Sequence, residues 1–208
     1  MSLFIAFEGG EGGGKSTQVR ALAGHLRLLG YEVITTREPG GSPRAEAIRD
    51  LLLADGPMTA PTEALLFAAA RADHVAHTVR PALKRGAIVL TDRYLDSSVA
   101  YQGGARGLGE DTIRDLSLWA TDGLLPDLTI VLDLDPRIGL ARALDPNRLE
   151  SEPVTFHDDV RAAFLRLAAA APTRYTVVDA EQAPEAVTAS VIAAVDPLLM
   201  SAATRETP

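Results

Sequence analysis

The chain carries 208 residues, 47% of them hydrophobic, which is enough apolar material for one α/β domain over residues 1–208 with a buried core and no need of a second. A formal net charge of -8 argues against a general nucleic-acid or membrane-surface partner, because affinity for a phosphate backbone scales with the cations a protein presents. Cysteine is absent, which excludes disulfides, a thiolate nucleophile and cysteine-ligated zinc or iron–sulfur clusters.

The first apolar run, Leu3–Glu8, reads as a strand, and Met1-Ser2 before it offers no basic targeting segment. No apolar run approaches the roughly 20 residues that span a bilayer, so the reading is a cytoplasmic protein with no membrane partner. After the strand comes Gly9-Gly10-Glu11-Gly12-Gly13-Gly14-Lys15-Ser16-Thr17, with GxxxxGK[ST] spacing from Gly9 to Ser16. Glycines let successive backbone N–H groups turn inward around a polyphosphate, and the helix N-terminus that follows adds its positive dipole end. Lys15 supplies a point charge and Ser16 a hydroxyl for Mg²⁺. A loop that binds nothing has no use for Lys15 and Ser16 directly after Gly14 at a strand-to-helix junction, so the stretch reads as a P-loop.

A helix follows over Thr17–Leu29, with Val19, Leu22, Leu26 and Leu29 on one face and Gly30 as its stop. Glu32–Thr36 is the second strand, Pro39–Arg44 an irregular and mobile stretch, and Thr62 to about Lys84 a long helical pattern starting after Pro61. Ala87–Thr91, Leu128–Leu134 and Tyr175–Asp179 complete five strands, each mostly apolar as expected of a parallel sheet covered on both faces. Asp135-Pro136 reads as a helix cap followed by proline at the first helical position. Leu144–Pro153 is polar and punctuated by prolines, Ala168–Ala171 and Ala186–Ala194 favour helix, and the tail beyond Met200 reads as frayed.

In an open parallel sheet, ligands sit outside the carboxyl ends of the strands. Those ends are polar here: Arg37-Glu38-Pro39 after strand two, and Asp92-Arg93-Tyr94 after strand three. Asp92 stands where a carboxylate would hold the water shell of Mg²⁺, with helix capping as the alternative. Arg37, Arg49, Arg71 and Arg93 all lie within or near strand ends, or on helices following them, and could converge on a second phosphate; singly, such an arginine is more often a surface ion pair. His74 and His77 have a spacing that could hold zinc, but no third ligand is evident, and a solvated helix face is the simpler reading.

The P-loop, Thr36-Arg37-Glu38-Pro39-Gly40-Gly41, Leu66-Phe67-Ala68-Ala69-Ala70-Arg71-Ala72-Asp73-His74, and Asp92-Arg93-Tyr94 through Ala100-Tyr101-Gln102-Gly103 together resemble bacterial thymidylate kinase. The strand end Val131–Pro136 and the turn Val178–Gln182 are similar to that family as well. The resemblance covers most of the chain and implies an α/β P-loop NTPase fold, a five-stranded parallel sheet flanked by helices with a short lid at about 144–153. It implies ATP and dTMP as substrates, Mg²⁺ as cofactor and a homodimer. On it, Gly10, Glu11, Gly12, Gly13, Gly14, Lys15, Ser16 and Thr17 bind ATP, and Ser16 and Asp92 hold the metal. Glu38 and Pro39 line the acceptor site. Phe67 stacks on the thymine ring, with core packing as its alternative, and Arg71 one turn later donates to a thymine carbonyl. Ser98 and Gln102 bond the base edge, Tyr101 crowds the position of a ribose 2′-hydroxyl, Arg49 and Arg93 hold the monophosphate, and Glu11 faces the sugar or the metal's water. Catalysis falls to Lys15, Arg93 and a lid arginine.

The lid departs from the family pattern. Arg142-Ala143-Leu144-Asp145-Pro146-Asn147-Arg148-Leu149-Glu150 is short and places Asn147 before Arg148, and Gly12 and Gly13 stand where some members carry a P-loop arginine. Arg148, then Arg142, is the expected lid cation. A kinase for another pyrimidine monophosphate or for a deoxynucleoside is the enzymatic rival, the latter with Glu38 as a base beside the 5′-hydroxyl. A nucleotide-dependent switch is the rival of another class; the guanine-reading Asn/Thr-Lys-x-Asp segment is missing, and Lys15 and Lys84 are the only lysines.

Overall fold

The computed structural model describes residues 2–54, 56–142 and 148–205. Five strands, β1 (Leu3–Glu8), β2 (Val33–Arg37), β3 (Ile88–Asp92), β4 (Leu128–Asp133) and β5 (Tyr175–Asp179), form one parallel sheet in the order β2-β3-β1-β4-β5. Each lies within a residue of its expected position. The reason is double burial: alternate residues of β1 enter two different cores, which leaves few polar positions to blur the apolar run. Leu3, Ile5 and Phe7 pack with Val19, Leu22 and Leu26, and with Val187, Val191 and Val195 of the last helix. On the opposite face, Phe4 and Ala6 pack with Ala64, Val75, Val89, Tyr94 and Ile113. A third cluster joins Val131, Tyr101, Phe156 and Phe164.

The helices are α1 (Lys15–Leu28), α2 (Pro43–Leu53), α3 (Ala60–His74), α4 (Arg80–Lys84), α5 (Leu95–Ser98), α6 (Glu110–Ala120), α7 (Pro136–Leu140), α8 (Val154–Ala170) and α9 (Pro184–Arg205). Local chemistry sets several ends. Gly30, at φ 88, is the left-handed residue that closes α1. Thr59 Oγ1 accepts from Thr62 N at the start of α3, and Asp135 Oδ1 accepts from Arg137 N at the start of α7.

Several expectations are corrected. The continuous helix over 62–84 is instead α3, a π-helical turn over Val75–Val79, and α4. Leu29 faces solvent, at 54% exposure. The segment 39–44 gives way to α2 at Pro43, and α9 continues past Met200 to Arg205. Of the lid at 144–153, residues 144–147 lie outside the described residues; Arg148, Leu149 and Glu150 form turns that lead into α8.

Candidate active site

The register aligns the strand ends. Phe7 of β1 and Arg37 of β2 both pair with Asp92, the last residue of β3, so the residues following all three strands open at one rim. A single cavity of about 530 Å³ lies there. The loop after β1, with Gly13, Gly14 and Lys15, lines one end of it, and Phe67, Tyr101 and Gln102 line the other.

At the P-loop end, Lys15 Nζ donates to the Gly9 carbonyl at 3.2 Å and the Gly10 carbonyl at 2.6 Å. Burial and then the neighbouring Arg93 push its ammonium below the usual lysine range. Ser16 Oγ donates to Asp92 Oδ2 at 2.5 Å, so the P-loop hydroxyl and the β3 carboxylate meet at one point. Both are hard oxygen donors in an open cavity, which is the donor set Mg²⁺ takes when it keeps most of its waters. The residues present therefore fit the metal.

The side chain of Gly12 is missing for a steric reason. At φ 65 the backbone is left-handed, and a Cβ built there would lie 2.7 Å from Gly139 Cα. The helix α7, which precedes the lid, thus sits backbone to backbone on the P-loop, where an arginine at position 12 has no room.

Arg93 joins the two ends. Its backbone is left-handed, at φ 70, and turns the chain out of β3. Nη1 donates to the Gly9 carbonyl at 3.0 Å and to Ser97 Oγ at 3.1 Å, while Nη2 donates to Glu11 Oε1 at 2.7 Å. The guanidinium also sits over the Tyr101 ring, whose hydroxyl donates to the same Glu11 oxygen at 2.8 Å. Burial opposes the Glu11 charge, yet Arg93 and then Lys15 hold its carboxyl at about 2. Arg49 lines the same stretch of cavity and donates to the Pro39 carbonyl at 2.8 Å. Exposed Arg37, which pairs with half-buried Glu46, is a further cation on the lining.

Glu8 is a residue that the sequence reading missed. It is fully buried at the end of β1; Oε1 accepts from the N–H groups of Tyr94 at 2.8 Å and Ser97 at 3.0 Å, and Oε2 accepts from Ser97 Oγ at 2.5 Å. It therefore fixes both sides of the turn that carries Arg93. Burial and then Asp96 push its carboxyl up to about 7. Its position inside an apolar strand reads as core, and only the partners across the sheet disclose it.

The end away from the P-loop is lined by Phe67, Ser98, Tyr101 and Gln102, with Glu38, Pro39 and Leu53 beside them. Arg71 is 2% exposed and stands behind this lining. Its Nε donates to Glu38 Oε2 at 2.7 Å, Nη1 to Ser117 Oγ at 3.1 Å, and Nη2 to Ser98 Oγ at 3.0 Å. His74 Nδ1 lies 2.9 Å from the other Glu38 oxygen and Nε2 lies 2.8 Å from Thr36 Oγ1. His74 is fully buried, so the solvated-face reading holds only for exposed His77, and no cluster of three metal-ligating residues exists among the described residues. Burial opposes the Glu38 charge, but Arg71 and then His74 hold its carboxyl below the usual range. With both oxygens engaged, Glu38 is poorly placed to act as a base.

The two lid arginines are separated. Arg142 Nη1 donates to the Gly12 carbonyl at 2.7 Å, on the P-loop. Arg148 Nη2 pairs with Glu63 Oε2 at 2.7 Å and donates to the Leu52 carbonyl at 3.2 Å. Arg142 thus neighbours the P-loop, while Arg148 neighbours Glu63 and Leu52.

The comparisons agree with this geometry. A family model described as thymidylate kinase matches residues 7–191. A thymidylate kinase of Thermomicrobium roseum is 52% identical over 199 residues, covering 94% of this chain and 95% of that protein. One of Clavibacter michiganensis subsp. michiganensis is 55% identical over 195 residues, covering 91% and 92%. The crystal structure of thymidylate kinase from Ehrlichia chaffeensis superposes with a TM-score of 0.78 at 32% identity, covering 93% of this chain and 98% of that one. With the family model spanning residues 7–191 and relatives 52% and 55% identical along nearly the whole chain, this chain belongs to the thymidylate kinase family.

Proposed function

We propose that the protein transfers the γ-phosphoryl group of ATP to dTMP, giving dTDP and ADP. The bond between the γ-phosphorus and the β–γ bridging oxygen breaks, and a bond forms from an oxygen of the 5′-monophosphate. That oxygen is already anionic near neutral pH, so the barrier lies in repulsion and alignment rather than in proton removal.

The carrying observation is the one cavity that has the P-loop at one end, Phe67, Tyr101 and Gln102 at the other, and Arg93 between them. Backbone N–H groups of Gly10, Glu11, Gly12, Gly13, Gly14, Lys15, Ser16 and Thr17 cradle the ATP phosphates. Lys15 leaves the Gly9 and Gly10 carbonyls for the β- and γ-phosphates, and its buried position raises the worth of its charge. Ser16 and Asp92 hold Mg²⁺, which when bound neutralises phosphate charge. Arg93 and Arg49 grip the acceptor phosphate, and Arg142 is the lid cation closest to the transferred group. Phe67 stacks on thymine, Ser98 and Gln102 address its edge with Arg71 behind them, and Glu38 and Pro39 shape the wall. Tyr101, tied to Glu11 and packed edge-on against Phe156 and Phe164, stands rigidly where a 2′-hydroxyl would have to fit.

The engaged carboxylate of Glu38 argues against a nucleoside acceptor, which needs a base at its 5′-hydroxyl. We read residues 1–208 as one catalytic unit acting in the cytoplasm as a homodimer, without nucleic-acid or membrane partners. Exposed Leu65 on α3 and Trp119 on α6, helices that pack on each other, support self-association, and sedimentation velocity tests it. No described helix is long and apolar enough to cross a membrane. The transfer itself is tested by ³¹P NMR of ATP, Mg²⁺ and dTMP: dTDP and ADP appear in equal amounts, and ATP hydrolysis to ADP and inorganic phosphate alone would contradict it.

A further inference from the structure

Glu63, in the first turn of α3, is a carboxylate that phosphoryl transfer does not call on, yet it is only 1% exposed. It lies four residues before Phe67 on the same helix, so both side chains point to one side. Its Oε1 accepts from Gln102 Nε2 at 2.8 Å and from Arg106 Nε at 3.4 Å, and its Oε2 pairs with Arg148 Nη2 at 2.7 Å. Burial opposes its charge, but the Gln102 amide and then Arg148 and Arg106 hold the carboxyl below the usual range.

An ionised carboxylate only accepts hydrogen bonds, so Gln102 can meet it only with its NH₂ end. The carboxamide cannot turn over without setting its oxygen against a buried negative charge. Gln102 lines the cavity, and its Oε1 makes no hydrogen bond among the described residues.

We infer that Glu63 is a specificity-determining positioning residue: by holding the Gln102 NH₂ it turns the Gln102 oxygen to the cavity as a fixed acceptor, which selects a pyrimidine carrying N–H at N3. The inference rests on the thymidylate kinase reading. Thymine and uracil carry that N–H, whereas cytosine presents a lone pair at N3. A site built around a matched hydrogen bond rejects an analogue lacking it by up to about 10⁴-fold, because buried polar groups are left unpaired. The same carboxylate ties in the described part of the lid, through Arg148 and through Arg106, whose Nη2 pairs with Glu152 at 2.7 Å.

The test is kcat/KM for dTMP, dUMP and dCMP in the unmodified protein, Glu63→Gln, Gln102→Leu and the double variant. A glutamine at 63 offers an oxygen or a nitrogen, so the Gln102 amide is free to turn its NH₂ toward the N3 lone pair of cytosine. In Glu63→Gln the dTMP:dCMP ratio falls by at least about tenfold while the dTMP:dUMP ratio is unchanged. Adding Glu63→Gln to Gln102→Leu leaves the dTMP:dCMP ratio where Gln102→Leu alone puts it. An equal loss with all acceptors, or a further fall of that ratio in the double variant, overturns the inference. Should Glu63→Gln not fold, Glu63→Gln with Arg148→Gln removes both members of the ion pair and is judged by the same ratios. Absence of dTMP turnover by the unmodified protein sinks the kinase reading and this inference with it, whereas turnover with an unchanged ratio in Glu63→Gln sinks this inference alone.

Discussion

Arg93 Nη2 donates to Glu11 Oε1 across 2.7 Å, so the cation that leaves β3 is oriented by a carboxylate belonging to the P-loop. The turn after β3 and the P-loop, which line the same cavity, are thereby tied to one another. A guanidinium held this way needs no reorganisation when two polyanions meet, which is where electrostatic catalysis gains most.

Arg93→Ala is expected to lower kcat by about 10³-fold or more while far-UV circular dichroism stays that of the unmodified protein. Steady-state kinetics with dTMP check this. Unimpaired turnover would remove Arg93 from the mechanism.

Arg142 touches the P-loop and Arg148 touches Glu63 and Leu52, so their truncations separate kinetically. Arg142→Ala lowers kcat by at least about tenfold with little change in the KM for dTMP, as for loss of a contact made in the transition state. Arg148→Ala raises the KM for dTMP more than it lowers kcat. The opposite pattern would return the lid cation to Arg148.

Gly139 seats α7 on the P-loop: a Cβ there would lie 3.1 Å from the Glu11 carbonyl carbon and 3.4 Å from Leu134 Cδ2. Gly139→Ala must lift the helix or bend the loop, so the KM for ATP rises by about tenfold or more, with a smaller effect on the KM for dTMP. Equal effects on the two would place the strain elsewhere.

Glu8 gives stability a pH dependence of definite sign. Its carboxyl is raised from 4.5 to about 7, chiefly by burial and then by Asp96, against Ser97, Arg93 and the Tyr94 N–H. Between those pH values the folded chain holds a proton that the unfolded chain has released, so stability falls as pH rises through the window, by up to roughly 3 kcal/mol. Glu8→Gln keeps an acceptor for the Tyr94 and Ser97 N–H groups and does not titrate. In urea denaturation its stability relative to the unmodified protein is expected to rise by a few kcal/mol from pH 4.5 to pH 8. A difference independent of pH would contradict this.

The strands and the P-loop are legible in the sequence because both rest on local signals: continuous apolar runs and a fixed glycine–lysine–serine spacing. Helix faces are less so. Leu29 matches an apolar stripe by period yet points to solvent, and nothing in the alanine-rich run before Val75 announces a π-helical turn. Ser16 and Asp92 come together as their spacing and strand position foretell. Glu8, Glu63 and Ser97 escape notice because their work consists of partners brought from distant segments, and a lone acid inside an apolar pattern carries no mark of them. Arg142 and Arg148 cannot be ranked from sequence, since their distances to the P-loop depend on how the lid packs.

The most direct measurement is ADP formation from ATP and Mg²⁺ with dTMP, dUMP, dCMP, dGMP, UMP and thymidine offered separately. Turnover strongest with dTMP, weaker with dUMP, and negligible with UMP and thymidine is the expected result, because on the proposed reading Tyr101, which lines the cavity, crowds the 2′ position, and both Glu38 oxygens are engaged. Preference for UMP, dCMP or thymidine would contradict the assignment of Phe67, Tyr101 and Gln102 as the thymidylate pocket.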